Sequence, residues 1–354
     1  MEGTSWLLSE EQMREWVQGL LDGGSSVVAP VEEETLSLFR PIAAAEHAVI
    51  EASGKTRWSP KEFLFPRTEA LYRYTFKGNA VQIEDPSLPE KPQVLLGVRS
   101  CDTAGLVRLD EVFLSGTKDP TYAARREATT VVSTACAAAD PECFCTAVGG
   151  SPVAVEGSDL QLAPVGDQWL LTVVTRKGEV LVDGAADNWK AAAKDDVAVL
   201  GELEKNVAEQ IERSPIKKEW SKVLEEGFES PAWDRLAQHC LGCSVCAYVC
   251  PSCSCFDMNH EANAWCGEQC RSWDACTFAI FTKHASGHNP RSTPQERYRQ
   301  RVLHKFSFSE GEDEHFRCVG CGRCVALCPA GLDIADTVAA AATAIQEEGA
   351  DATG

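Results

Sequence analysis

Apolar positions along the first half of the chain switch between a helical and a strand period. From Ser9 onward Met13, Trp16, Val17 and Leu20 recur at three- and four-residue steps behind the capping box Ser9-Glu10-Glu11-Gln12, and predict an amphipathic helix ending at Gly23-Gly24. Residues 26–31 read as a short strand, the proline-bracketed stretch 59–66 as an extended piece, and 68–74 as a helix. Residues 94–98 form a continuous apolar run, the mark of a buried strand, followed by a turn at Arg99 to Asp102 and a helical pattern to Leu114. Residues 130–132 are a second such strand, ending near Cys136. Alternation across 160–183, around Gly166-Asp167 and Lys177-Gly178, predicts an antiparallel hairpin or meander, and from 185 to 226 the pattern turns helical and charged. The first half therefore reads as a mixed α/β domain spanning residues 1–230, with a boundary near Ser230-Pro231.

Beyond that boundary one spacing, C-x2-C-x2-C-x3-C-P, occurs twice: at Cys240, Cys243, Cys246, Cys250 and Pro251, and at Cys318, Cys321, Cys324, Cys328 and Pro329. This is the spacing of bacterial ferredoxins, in which three thiolates on one tight loop reach three corners of a [4Fe-4S] cubane and the fourth cysteine ligates the other cluster. The crossover assigns Cys240, Cys243, Cys246 and Cys328 to one cluster, and Cys318, Cys321, Cys324 and Cys250 to the second. Zinc knuckles pair two C-x2-C units and lack the trailing Cys-Pro. The fold class is thus α+β: the mixed α/β domain followed by a helical ferredoxin domain of two [4Fe-4S] clusters over 231–340. That second domain carries a long insertion, 252–317, and a flexible tail follows at 341–354. The insertion holds Cys253, Cys255, Cys266, Cys270 and Cys276 with His260, His284 and His288, all of which the sequence leaves open between packing and ligation.

Composition narrows the setting. A net charge of −20 over 354 residues argues against a nucleic-acid partner, which needs a basic face. The exception is a basic run from Lys283 to Lys305, including Arg297 and Arg301, which reads either as a solvated helix face or as cations offsetting cluster charge or docking an acidic partner. No apolar stretch approaches the length of a membrane span, and residues 1–6 show no secretory leader, so the 17 cysteines are expected to be reduced or metal-bound in a cytoplasm. There is no G-x-G-x-x-G, no phosphate loop, no Ser-His-Asp set and no paired-carboxylate motif, so no catalytic residue is assigned.

Four further cysteines precede the boundary. Cys101 and Cys136 each follow a predicted parallel strand, whose C-terminal ends share one sheet edge, and Cys143 and Cys145 complete a set of four. Spacing alone leaves this set open between a third iron–sulfur cluster, a zinc site and buried thiols.

The phrases Gly97-Val98-Arg99-Ser100-Cys101-Asp102, Cys143-Phe144-Cys145-Thr146-Ala147-Val148-Gly149, Trp273-Asp274-Ala275-Cys276, His304-Lys305-Phe306 and Cys318-Val319-Gly320-Cys321-Gly322-Arg323-Cys324 add a family likeness. Over roughly residues 63–333 the chain resembles the dicluster iron–sulfur proteins that include the iron–sulfur component of anaerobic sulfite reductase and the beta subunit of cytoplasmic [NiFe] sulfhydrogenases. The resemblance implies a non-catalytic subunit that relays electrons between two others, one binding flavin and NAD(P), the other catalytic and of hydrogenase or sulfite reductase type. It also makes Cys101, Cys136, Cys143 and Cys145 recur as a set, implying a third [4Fe-4S] cluster. Ser100 stands where the family often has proline. The alternatives are an enzyme of heterodisulfide or thiol reductase type using the N-terminal cysteine site, and a zinc-stabilised interaction module.

Overall fold

The computed structural model describes residues 3–50, 54–85, 88–89, 91–308 and 315–351. In chain order its strands are β1 (Ser5–Leu8), β2 (Ser26–Glu33), β3 (Leu36–Pro41), β4 (Thr68–Lys77), β5 (Ala80–Glu84) and β6 (Gln93–Arg99). There follow β7 (Thr129–Thr134), β8 (Leu160–Val165), β9 (Gln168–Val173), β10 (Lys190–Ala191), β11 (Phe256–Ala262) and β12 (Cys266–Trp273). Eight of these form one sheet in the order β10-β1-β9-β8-β7-β6-β2-β3, the other four a second sheet in the order β11-β12-β4-β5.

The centre of the large sheet is parallel, β2 to β6 to β7 to β8, flanked by antiparallel neighbours. Both faces of the parallel strands are covered, as parallel sheets require. Val27, Val94 and Leu96 pack on one side with Trp16 and Val17 from the helix Glu10–Asp22, whose Ser9 capping box is formed. Leu95 and Val98 face the other side with Leu106, Leu109 and Phe113 from the helix Ser100–Phe113. Leu95 and Val98 share a face because the register shifts between Leu96 and Val98. Gly97 occupies that bulge at φ +78°, where a Cβ would meet the Pro30 ring at 3.0 Å.

Several expectations are corrected. Residues 68–74 are not helical; they open β4, which pairs with β12 from far along the chain. The Ala70, Leu71 and Tyr74 spacing imitates a helix, but Tyr72, Tyr74 and Phe76 also alternate, and cross-strand partners decide. The 59–66 stretch contains a 3-10 turn, Pro60–Phe63, with the proline at its first position. The hairpin over 160–183 stops at Val173; Thr175 then caps the short helix Arg176–Val182. The insertion is not helical throughout either: its β11 and β12 complete the sheet begun by β4 and β5, so the first domain and the insertion interlock. Much of the expected flexible tail is the end of the helix Ile334–Asp351, anchored by buried Val338, Ala341 and Ala342; residues 352–354 lie outside those described. Phe144 and Ala147 of the first half share a core with Trp233, Tyr298, Val302, Phe306, Ile334 and Val338 of the second.

Candidate metal centres

The two ferredoxin loops repeat in conformation as well as in sequence. Gly242 and Gly320 sit at φ +64°, and two residues on Ser244 and Gly322 sit at φ +63° and +73°, so each loop turns twice through the left-handed region. A one-turn helix follows each, Val245–Tyr248 and Arg323–Ala326. Ser244 holds its unfavourable conformation with a 2.7 Å hydrogen bond between its hydroxyl and that of Thr277. At the second loop nothing but glycine fits: a Cβ on Gly320 would lie 2.5 Å from the Cys145 backbone, and one on Gly322 would lie 2.3 Å from the Glu142 carbonyl. The second loop is thus pressed onto the 142–145 segment, where the Phe144 N–H donates to the Gly320 carbonyl at 2.9 Å.

One cavity is lined by Cys240, Cys243, Cys246, Cys324 and Cys328. A second is lined by Cys250, Cys318, Cys321 and Cys324. Each cavity therefore draws a cysteine from the distant repeat, Cys328 in the first and Cys250 in the second, and Cys324 borders both.

The helix Pro294–Phe306 supplies the electrostatics. Arg297, Arg301 and Lys305 recur at four-residue steps on its buried face, so this part of the basic run is not a solvated surface. The Arg301 guanidinium donates to the Cys246 carbonyl at 2.8 Å and to the Cys253 thiol at 3.5 Å. The Lys305 ammonium donates to the Ser252 hydroxyl at 2.8 Å, and the Lys61 ammonium to the Cys253 carbonyl at 3.0 Å. No carboxylate among the described residues pairs with Lys61, Arg301 or Lys305; carbonyls, a hydroxyl and thiols are what they meet. Three buried cations so placed demand an anion. Burial also pushes the cysteine thiols up, Cys318 to about 12 and Cys324 well above its ordinary value, so the bare site disfavours thiolates that bound metal would stabilise. An anionic thiolate-bound iron cluster fits both facts.

The remaining cysteine set gathers at the C-terminal edge of the parallel sheet. Cys101 is the second residue of the helix after β6; Cys136 follows β7, its N–H donating to the Pro152 carbonyl at 3.0 Å; Cys143 and Cys145 sit in the loop beyond. Burial raises the Cys101 and Cys136 thiols and carries Cys145 to about 12. The four stand close enough to act on one another, Cys101 with Cys136, and Cys136 with Cys143 and Cys145. Lys55 donates to Asp140 at 2.5 Å and to the Cys143 thiol at 3.7 Å. A cavity bordered by Cys101, Cys145 and Cys318 joins this set to the second ferredoxin loop. Arg323, between Cys321 and Cys324, crosses the same junction to form a fully buried pair with Asp102 at 2.6 and 2.8 Å.

Sequence reasoning missed Lys61, Asp102 and Arg323, whose partners lie far away in the chain; the four-residue spacing of Arg297, Arg301 and Lys305 was the one local signal available. Cys266 and Cys270 lie on β12 in the second sheet, where the Cys266 thiol meets Asn263 and the Cys270 thiol meets Glu268. Among the described residues no three His, Cys, Asp or Glu side chains close around a single-ion site. Nor is any helix there long and apolar enough to cross a membrane.

Comparison with known proteins defines the class first: residues 239–332 match the family described as a 4Fe-4S dicluster domain, and the chain carries two [4Fe-4S] clusters. The chain is also 30% identical over 327 residues to sulfhydrogenase 2 subunit beta of Pyrococcus furiosus, covering 92% of this chain and 95% of the relative. It belongs to that family of iron–sulfur proteins.

Proposed function

We propose that this chain is the electron-relay subunit of a larger oxidoreductase. In this reading it joins a flavin- and NAD(P)-binding subunit to a catalytic one of [NiFe] hydrogenase or sulfite reductase type, and catalyses no reaction itself. Cys240, Cys243, Cys246 and Cys328 hold one cluster, Cys318, Cys321, Cys324 and Cys250 the next, and Cys101, Cys136, Cys143 and Cys145 a third. When bound, the clusters supply one-electron carriers, which a hydride donor needs if its electron pair is to be delivered singly.

The observation that carries the reading is the adjacency of the three cysteine sets. Cys324 borders both ferredoxin cavities, and the cavity at Cys318 is shared with Cys101 and Cys145. The protein's own residues keep that line compact. Arg301 neutralises thiolates between the first two sets, and the Arg323 pair with Asp102 clamps the second set to the third.

Iron, acid-labile sulfide and zinc per chain on anaerobically prepared protein test the assignment. Roughly twelve iron without zinc is expected for three cubanes; roughly eight would remove the third cluster, on cubane stoichiometry. Copurification with larger flavin-containing and catalytic subunits is expected from the native source. Turnover by the isolated, cluster-replete chain would instead favour a thiol reductase.

A further inference from the structure

Beside Cys250 lies a thiol pair that neither ferredoxin loop uses. Cys255 and Cys276 flank the open base of the β11–β12 hairpin, just outside the terminal pair Phe256 and Trp273. The Asp274 N–H donates to the Cys255 carbonyl at 3.0 Å, extending the ladder one step and bringing Cys276 across to Cys255. The Cys255 sulfur then accepts both the thiol and the backbone N–H of Cys276. Cys276 is buried, whereas Cys255 is half-exposed and within reach of small thiols and solvent.

The surroundings are those of a reactive thiol. A packing cysteine sits among apolar groups and stays neutral. This pair instead shares the cations of the cluster region: Lys61 lies 4.1 Å from the Trp273 ring centre and donates to the Cys253 carbonyl, and Arg301 and Lys305 face the same thiols. The hydrogen bonds from Cys276, with Lys305 and Lys61 nearby, hold the Cys255 thiol at about 6, while the same contact pushes Cys276 well up. At neutral pH Cys255 is therefore the thiolate, the attacking and leaving form in disulfide chemistry, and Cys276 keeps its proton. Cys253 bridges the pair to Cys250, with which its own thiol shares a hydrogen bond.

We propose that Cys255 and Cys276 form a reversible disulfide that exchanges an electron pair with the adjacent clusters. This rests on the cluster reading and deepens it. On reduction the S–S bond breaks, two reduced [4Fe-4S] clusters each give up one electron, and the two sulfurs bind two protons. On oxidation the bond forms again, the protons leave, and each cluster takes one electron back. Two ferredoxin clusters hold between them the two electrons the bond requires, so the pair converts single-electron traffic into a two-electron store. The same half-exposed thiolate would accept a disulfide or polysulfide sulfur from solvent.

The test uses the full, cluster-loaded chain without air. Samples are equilibrated in reducing and in oxidising glutathione buffers, alkylated, digested and mapped by mass spectrometry. The expected result is alkylated Cys255 and Cys276 under reduction and a Cys255–Cys276 cross-linked peptide under oxidation, with unchanged iron. Stoichiometric reduction should then show wild type taking up about two more electrons per chain than Cys276→Ser at equal iron content. Free thiols at both positions in every oxidising buffer would overturn the proposal, as would iron loss in Cys276→Ser, which would make these residues ligands. Iron per chain in the wild type tests the cluster reading separately, so the two cannot fail unnoticed together.

Discussion

Arg323 shows how much one side chain carries in this protein. Its guanidinium is 1% exposed and meets a carboxylate, Asp102, that is fully buried on the other half of the molecule, with further bonds to the Thr56 carbonyl and hydroxyl. Removing one member of such a pair leaves an uncompensated charge in the interior. Arg323→Met is therefore expected to lower stability by about 3–5 kcal/mol in anaerobic urea denaturation, and Asp102→Asn in the same chain to restore part of it. Asp119 is a second case, remote from the clusters. It caps the helix Pro120–Ala128 and pairs with Arg271 of β12, tying the small sheet to the large domain. Burial alone would raise its carboxyl, but the Tyr122 N–H and the Arg271 charge outweigh burial and hold it below the usual range. A depressed carboxyl contributes its stability above the unfolded value near 4, and that contribution disappears as pH falls through the folded value. Asp119→Asn should accordingly be less stable than wild type at neutral pH, and the gap should close in acid; a constant gap from pH 7 down to the acid limit of folding would show that the charge is not involved. Residues of this kind were not legible in the sequence, because an arginine next to a cysteine carries no mark of a partner more than two hundred positions away. The ferredoxin cysteines stood out because their spacing is local and their chemistry dictates it.

Between elements, the two ferredoxin loops share one path yet tolerate different residues on it. Ser244 faces Thr277 and offsets its left-handed backbone with a hydrogen bond, whereas Gly322 faces the Glu142 carbonyl with no room for a side chain. Ser244→Gly should change stability by no more than about 1 kcal/mol, strain relief offsetting the lost bond. Gly322→Ser, the mirror substitution, should separate the second loop from the 142–145 segment, seen as faster proteolysis there and reduced iron. Equal tolerance of both changes would mean that the loop does not press on that segment. At this scale the sequence showed the strands that carry their own pattern, β2, β6, β7 and the β8–β9 hairpin. It concealed β4, because apolar residues in a short strand with one exposed face can match a helical step, and only its pairing with β12 selects the strand.

For the whole molecule, the two repeats exchange cysteines across their cavities, so a ligand lost from one repeat is felt in the other. Cys250→Ala is expected to abolish the signal of the cluster at Cys318, Cys321 and Cys324 and to spare the one at Cys240, Cys243 and Cys246. Electron paramagnetic resonance of the reduced variant checks this, and loss of the sequence-adjacent cluster alone would refute the exchange. A boundary near residue 230 was a fair reading of composition, yet the folded chain crosses it repeatedly through β11 and β12, through Arg323 and through the core that Phe144 shares with Phe306. Composition registers where a linker could lie, and it is blind to later segments that return.

The exchange also sets a schedule for synthesis. Cys240, Cys243 and Cys246 leave the ribosome roughly ninety residues before Cys328, an interval on the order of ten seconds at ordinary elongation rates. During that interval the nascent chain displays three bare thiols with no fourth partner, and the β4–β5 hairpin waits likewise for β12. Assembly factors that deliver iron and sulfide must then act on a finished chain, and any oxidant met earlier finds the cysteines unprotected.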